Sequence, residues 1–233
     1  MPIISIEGNI GSGKSTFLQH LKNNNKSDNV IFIDEPVEEW IKIKDSTNKN
    51  ILELFYEDKE KYSFSFQIVA YITRLRNILE TYEKNSDKLI ICERSIYTDK
   101  NVFAKMLYDD GYIKEIDWIA YNYWFDTFDN KIKLDGIIYI NTCPKICHDR
   151  VKIRNRGEEN TIELDYLIKC DFNHNVWIKN TNIKCLIIEG NKDFKNNEHI
   201  IKMFINASNK FTQKALLSSL QDKSCRTDEI NYV

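Results

Sequence analysis

Residues 8 to 15, Gly8-Asn9-Ile10-Gly11-Ser12-Gly13-Lys14-Ser15, satisfy the pattern G-x-x-x-x-G-K-[ST] in full. The apolar run Ile3-Ile4-Ser5-Ile6 before them reads as a buried strand, and Phe17-Leu18-Gln19-His20-Leu21 after Thr16 reads as a helix. A strand that feeds a glycine-rich turn that feeds a helix leaves a chain few folds. In such a turn successive backbone N–H groups face inward, the helix N-terminus adds partial positive charge, and Lys14 contributes a mobile ammonium. The segment from Gly8 to Thr16 is therefore expected to cradle the phosphates of a nucleoside triphosphate, with Ser15 offering its hydroxyl to Mg²⁺. At average residue usage, a chance match in a chain this long arises about once in a hundred. Three of the 7 glycines, Gly8, Gly11 and Gly13, fall inside the loop, where the backbone must approach phosphate closely.

Composition narrows the remainder. A chain of 233 residues, 42% hydrophobic and 12% aromatic, can bury one sizeable core, and no long Pro/Gly/Ser linker divides it, so one domain is expected. Its formal net charge of -2 carries no basic excess for a nucleic-acid backbone or an anionic membrane, which argues against both as partners. No charged leader precedes an apolar stretch at the N-terminus and no segment approaches a membrane span, so a soluble cytoplasmic protein is expected. The 6 cysteines are irregularly spaced without a C-x-x-C pair, which speaks against a disulfide framework. Cys143, Cys147 and His148 are close in sequence, but Pro144 opens a helix there that would turn them to different faces.

Five short apolar runs alternate with longer helical patterns: Ile3 to Glu7, Val30 to Ile33, Leu89 to Cys92, Gly136 to Ile140 and Cys185 to Ile188. That alternation predicts an α/β fold, a five-stranded parallel sheet with helices on both faces. Ligands in such sheets bind beyond the carboxyl ends of the strands. After the second strand comes Asp34-Glu35-Pro36-Val37, and after the third Glu93-Arg94-Ser95. Phosphoryl transfer needs a metal, cations on the moving group and an acceptor for the hydroxyl proton. Glu93 would hold Mg²⁺ with Ser15, Arg94 would steady the reacting oxygens beside Lys14, and Glu35 would act as the base. By spacing alone, Glu35 reads equally well as an N-cap or a surface carboxylate.

The ordered set of residues 8 to 16, Glu35-Pro36-Val37 with Trp40, Tyr56, Ser63-Phe64-Ser65-Phe66-Gln67, Glu93-Arg94-Ser95 with Tyr97 and Asp99, and Arg154-Asn155-Arg156-Gly157-Glu158-Glu159 resembles the deoxynucleoside kinases, over about residues 1 to 205. The resemblance is closest to their deoxycytidine and deoxyguanosine kinase branch. It implies a P-loop kinase fold with an arginine-rich lid, here about residues 152–162, in a kinase domain of residues 1–208 followed by a C-terminal tail, 209–233. It further implies that Glu35 deprotonates the nucleoside 5′-hydroxyl with Arg94 beside it. Gln67 would bond the Watson–Crick edge of the base, and Trp40, Phe66 and Phe103 would wall the pocket. Tyr56 and Glu159 would take the sugar 3′-hydroxyl, and Arg150, Arg154 and Arg156 would close on the phosphates of ATP or another triphosphate donor. Asp193 and Phe194 would contact the donor base, although Asn191-Lys192-Asp193 also reads as a plain surface turn.

Without the family, Phe64 to Leu75 is an amphipathic helix stripe on which Gln67 and Arg74 lie seven apart, two turns along one face. Arg74 by spacing alone is a solvated helix charge. In the family, an Arg and an Asp at the positions of Arg74 and Asp99 accompany preference for cytosine and purine bases over thymine. Trp118, Tyr121, Tyr123, Trp124, Phe125 and Phe128 carry more apolar bulk than one helix face needs, which is either core or, as the resemblance implies, a homodimer contact. Two other readings compete. A nucleoside monophosphate kinase would want cations where Asp34 and Glu35 stand. A GTPase-type switch would need an Asp-x-x-Gly element that the chain does not contain.

Overall fold

The computed structural model describes residues 2–85, 87–129, 131–159, 161–192 and 197–227, with the side chains of Leu216 and of 218–227 left out. The donor-base expectation for Asp193 and Phe194 lies outside the described residues. Five strands, β1 (Ile3–Glu7), β2 (Val30–Ile33), β3 (Leu89–Glu93), β4 (Gly136–Asn141) and β5 (Cys185–Glu189), form one sheet in the order β2-β3-β1-β4-β5. Every neighbouring pair is parallel. All five therefore end on the same edge, with the switch in strand order at β1.

The helices are α1 (Lys14–Asn24), α2 (Val37–Trp40), α3 (Ile51–Glu57), α4 (Lys59–Lys84), α5 (Ile96–Thr98), α6 (Lys105–Asp109), α7 (Glu115–Asp129), α8 (Pro144–Arg154), α9 (Leu164–Asn180) and α10 (Glu198–Thr227). A wide π turn, Asp99–Ala104, joins α5 to α6. Strand alternation explains why both faces are covered. Ile90, Cys92, Ile137 and Tyr139 face the cluster built with α4, α7 and α9, whereas Leu89, Ile91, Ile138 and Ile140 face the one built with α1 and α10. Central strands buried on both sides cannot alternate apolar with polar, hence the unbroken Ile-rich runs.

The expected boundary between domain and tail at 208/209 falls inside a helix. α10 runs through it without a break, and Thr212 and Ala215 are buried. The reason is local: a Cβ on Gly136 would meet the Phe211 ring at 2.8 Å, so the helix packs directly on β4. Among the described residues no helix is long and apolar enough to cross a membrane.

Candidate active site

The phosphate loop links the end of β1 to α1. Gly11 has φ +80 and a Cβ there would meet the Cys147 carbonyl oxygen at 2.4 Å, so α8 packs against bare backbone that no other residue could supply. Asn9 donates from Nδ2 to the Leu167 carbonyl (2.8 Å) and accepts the Ile10 N–H on Oδ1 (2.8 Å), pinning the loop to α9. The Ser12 carbonyl accepts from Thr142 Oγ1 at 3.1 Å and from Arg150 at 3.3 Å. Gly8, Asn9 and Ser12 thus form the loop's underside, while Ile10, Gly11, Gly13, Lys14, Ser15 and Thr16 line a cavity of about 1040 Å³. Lys14 donates to the Asn9 carbonyl at 2.8 Å. Burial, with Arg94 nearby, pushes its pKa down to about 8 against the pull of Glu93 and Glu35.

Glu35, Arg74, Glu93, Arg94 and Asp99 meet in the same cavity. Arg94 donates from Nε to Glu35 Oε1 at 3.0 Å and from Nη1 to the Gly8 carbonyl at 2.7 Å, so one guanidinium bridges the acid and the first residue of the loop. Arg74 reaches Asp99 Oδ2 from Nε (2.9 Å), the Glu93 carbonyl from Nη1 (2.9 Å) and Glu35 Oε1 from Nη2 (3.2 Å). Neither Glu35 nor Arg74 is the solvated charge that spacing alone allowed. Burial tends to raise the Glu35 pKa, but Arg94, Arg74 and Lys14 outweigh it and hold the carboxyl down to about 2. Glu93 goes the other way: burial and the adjacent Glu35 raise its pKa. Asp34 also lines the cavity but turns to Lys22 at 2.6 Å. The negative charge that argued against a phosphorylated acceptor therefore comes from Glu35, and two guanidiniums already answer it.

The Ser15 hydroxyl donates to Glu93 Oε1 at 2.7 Å. A hydroxyl and a carboxylate, both hard oxygen donors, fit Mg²⁺, which takes few protein ligands and keeps water and phosphate for the rest. The raised pKa of Glu93 marks a buried carboxylate short of positive charge, which a cation would correct.

Beyond this junction the cavity becomes an aromatic slot. Trp40 and Phe66 meet edge to face at 5.4 Å, and Phe103 lies beneath the Arg94 guanidinium at 4.9 Å. Asp99 and Phe103, four residues apart on the π turn, both line the cavity, and such turns concentrate at functional sites. Gln67 is buried, and its Oε1 has no hydrogen-bond partner among the described residues. Tyr56 and Glu159 stand at the far wall, where burial and then Glu159 push the Tyr56 hydroxyl pKa well up. Glu159 takes Arg156 at 3.1 Å and also Arg154, so the two arginines of the expected lid are anchored on it, while Arg150 spans from Ser12 to the Lys192 carbonyl at 3.4 Å.

Sequence reasoning missed Phe55 and Tyr166. Phe55 stacks on Phe66 at 4.8 Å, and Tyr166 meets Tyr56 at 6.5 Å; both line the cavity. A signal existed for α3, whose Asn50 and Glu53 form a complete capping box that fixes where Phe55 and Tyr56 fall. Tyr166 had none, because only the return of α9 beside the loop brings it there.

A phosphate cradle at a strand-order switch, with a carboxylate and two arginines facing an aromatic slot, defines a P-loop phosphotransferase for a small aromatic acceptor. Residues 4–213 match the family model described as deoxynucleoside kinase. A probable deoxycytidine kinase of fowlpox virus is 36% identical over 227 residues, covering 94% of this chain and 86% of its own. Mouse deoxycytidine kinase is 34% identical, covering 82% and 85%, and a mitochondrial deoxyguanosine kinase of Xenopus laevis is 33% identical, covering 83% and 83%. The chain belongs to the deoxynucleoside kinase family and is a kinase that uses a nucleotide phosphate donor.

Proposed function

We propose that this kinase transfers the γ-phosphoryl group of ATP to the 5′-hydroxyl of a deoxynucleoside, preferring deoxycytidine or purine deoxynucleosides to thymidine. The observation that carries the reading is Glu35, held by Arg94 and Arg74 where the phosphate loop meets the aromatic slot. Its pKa near 2 keeps it ionised at neutral pH and makes it a weak base. A weak base suffices when the transition state is loose, because the proton leaves the hydroxyl late, after bonding to phosphorus has acidified it. Arg94 holds the carboxylate in line, and Lys14 neutralises charge on the outer phosphates. Ser15 and Glu93 would hold Mg²⁺, which supplies neutralisation of the phosphate oxygens.

Base choice would follow from what the slot leaves unpaired. Asp99 is fixed by Arg74 and can accept from an exocyclic amine, and the buried Gln67 amide oxygen needs a donor. A thymine offers no exocyclic amine and adds a methyl group. Tyr56 and Glu159 would receive the sugar 3′-hydroxyl, and Arg150, Arg154 and Arg156 the donor phosphates. The exposed apolar residues Ile72 on α4 and Ile116, Ile119, Tyr123 and Trp124 on α7 support a homodimer through these helices, while Tyr121 and Phe125 on the same helix are core.

The experiment is a steady-state phosphorylation panel of four deoxynucleosides and their monophosphates against ATP, UTP and GTP. The expected result is turnover of the unphosphorylated nucleosides with thymidine lowest in kcat/KM. Thymidine ranking first would overturn the base preference, and turnover confined to monophosphates would overturn the acceptor.

A further inference from the structure

One buried acid has no part in the mechanism above. Glu7, the last residue of β1, is fully buried and does not line the cavity, yet it sits one residue before the phosphate loop. Its carboxylate accepts from the Ser95 hydroxyl at 2.7 Å and also from the Thr98 hydroxyl. Ser95 occupies the N-cap position of α5, where a serine side chain ordinarily bonds the helix's own N–H groups, but here it makes no capping bond. The hydroxyl is diverted to Glu7 instead.

The residue before Ser95 is Arg94, whose φ is +62. A non-glycine side chain in that region is held there only by surrounding structure, and such positions cluster at functional sites. Its N–H bonds the Ile6 carbonyl at 3.0 Å, so β1 grips the chain on the near side of Arg94 and Glu7 grips it on the far side. Between those grips the side chain leaves toward Gly8 and Glu35. Burying a carboxylate against two neutral hydroxyls is costly, and burial does raise its pKa although Ser95, Thr98 and Arg94 oppose that rise.

We propose that Glu7 is a positioning residue for phosphoryl transfer: by clamping Ser95 and Thr98 it holds the Arg94 backbone in the left-handed conformation from which the guanidinium reaches Glu35. The inference rests on the reading that Arg94 assists transfer beside Glu35. It assigns to the acid preceding the loop a task in the chemical step, distinct from donor binding.

The test is kinetic and epistatic. Glu7→Gln, which keeps an acceptor but loses charge and symmetry, should lower kcat by about 10- to 100-fold and leave both KM values within about threefold, the pattern of an interaction that matters in the transition state. In an Arg94→Ala background the same substitution should lower kcat by less than about twofold, because residues acting as one unit are not additive. An equal fall in both backgrounds, near-normal kcat in Glu7→Gln, or a rise in donor KM with kcat unchanged would overturn the proposal. If Glu7→Gln does not fold, Ser95→Ala and Thr98→Ala carry the same test with smaller expected losses, about 3- to 10-fold each. Near-normal turnover of Arg94→Ala alone would instead sink the assignment of Arg94.

Discussion

The two ends of the cavity are built from different materials. The loop at the proposed donor end is one contiguous segment, residues 8 to 16, that would work mainly through backbone N–H groups and a helix terminus, with Lys14 as its buried cation and the arginines of α8 and the turn after it beside it. The junction and acceptor end draw side chains from the ends of β2 and β3, the middle of α4 and the π turn, and bury Arg74, Arg94, Asp99 and Glu93 together. A backbone cradle is sensitive to any added atom and indifferent to most charges elsewhere. A side-chain network in low dielectric is the reverse: it tolerates shape changes better than the loss of one partner.

The largest effect that would sharpen this contrast is expected from Glu35→Gln. It keeps the shape and removes the proposed proton acceptor, so kcat should fall about 10²- to 10⁴-fold while donor affinity stays near normal. Equal turnover, measured with saturating donor, would remove Glu35 from the chemistry. Next comes Arg74→Met, which leaves Asp99 buried without its partner and should lower unfolding stability by about 3–5 kcal/mol. Adding Asp99→Ala should restore much of that loss in a denaturant titration, and failure to do so would mean that the pair is not one electrostatic unit.

At the donor end, Gly11→Ala tests the opposite sensitivity. With φ +80 and a carbonyl 2.4 Å from the new Cβ, the loop must distort. Strain of about 1–3 kcal/mol predicts about a 5- to 150-fold rise in donor KM, with acceptor KM little changed. A larger effect on the acceptor would break the division between the two ends. The smallest effect is one of pH. Burial, with Arg94 close by, holds the Lys14 pKa at about 8 in the free protein, so kcat/KM for the donor should decline above about pH 8 as the ammonium is lost. The limb in kcat should lie higher, because bound phosphates favour the charged form. Glu35, held near 2, predicts no acid limb of its own between pH 4 and 7. The contribution of Glu35 to stability is likewise complete above the ordinary Glu range and is lost progressively as pH falls from there toward about 2.

All five strands were legible to within one residue at their C-terminal ends, because runs such as Ile3 to Glu7 and Gly136 to Ile140 are bounded by turn residues and have one physical reading, a doubly buried parallel strand. The ordered motifs also grouped Gln67, Arg74 and Asp99, which the fold places around one cavity. What local pattern could not resolve was the charge state of Glu35, the grip of Glu7 on Ser95, and the packing of α10 past residue 208, since each depends on neighbours far off in the chain.

The phosphate cradle, the order of layers and the kind of chemistry were thus written in short-range patterns, because backbone conformation and strand burial depend on residues within a few positions of one another. Which acids are charged, which arginine is held in a strained conformation and how far the last helix belongs to the core were decided only by the folded arrangement. Electrostatic energy in a buried site is a sum over groups that only the tertiary structure brings within a few ångströms.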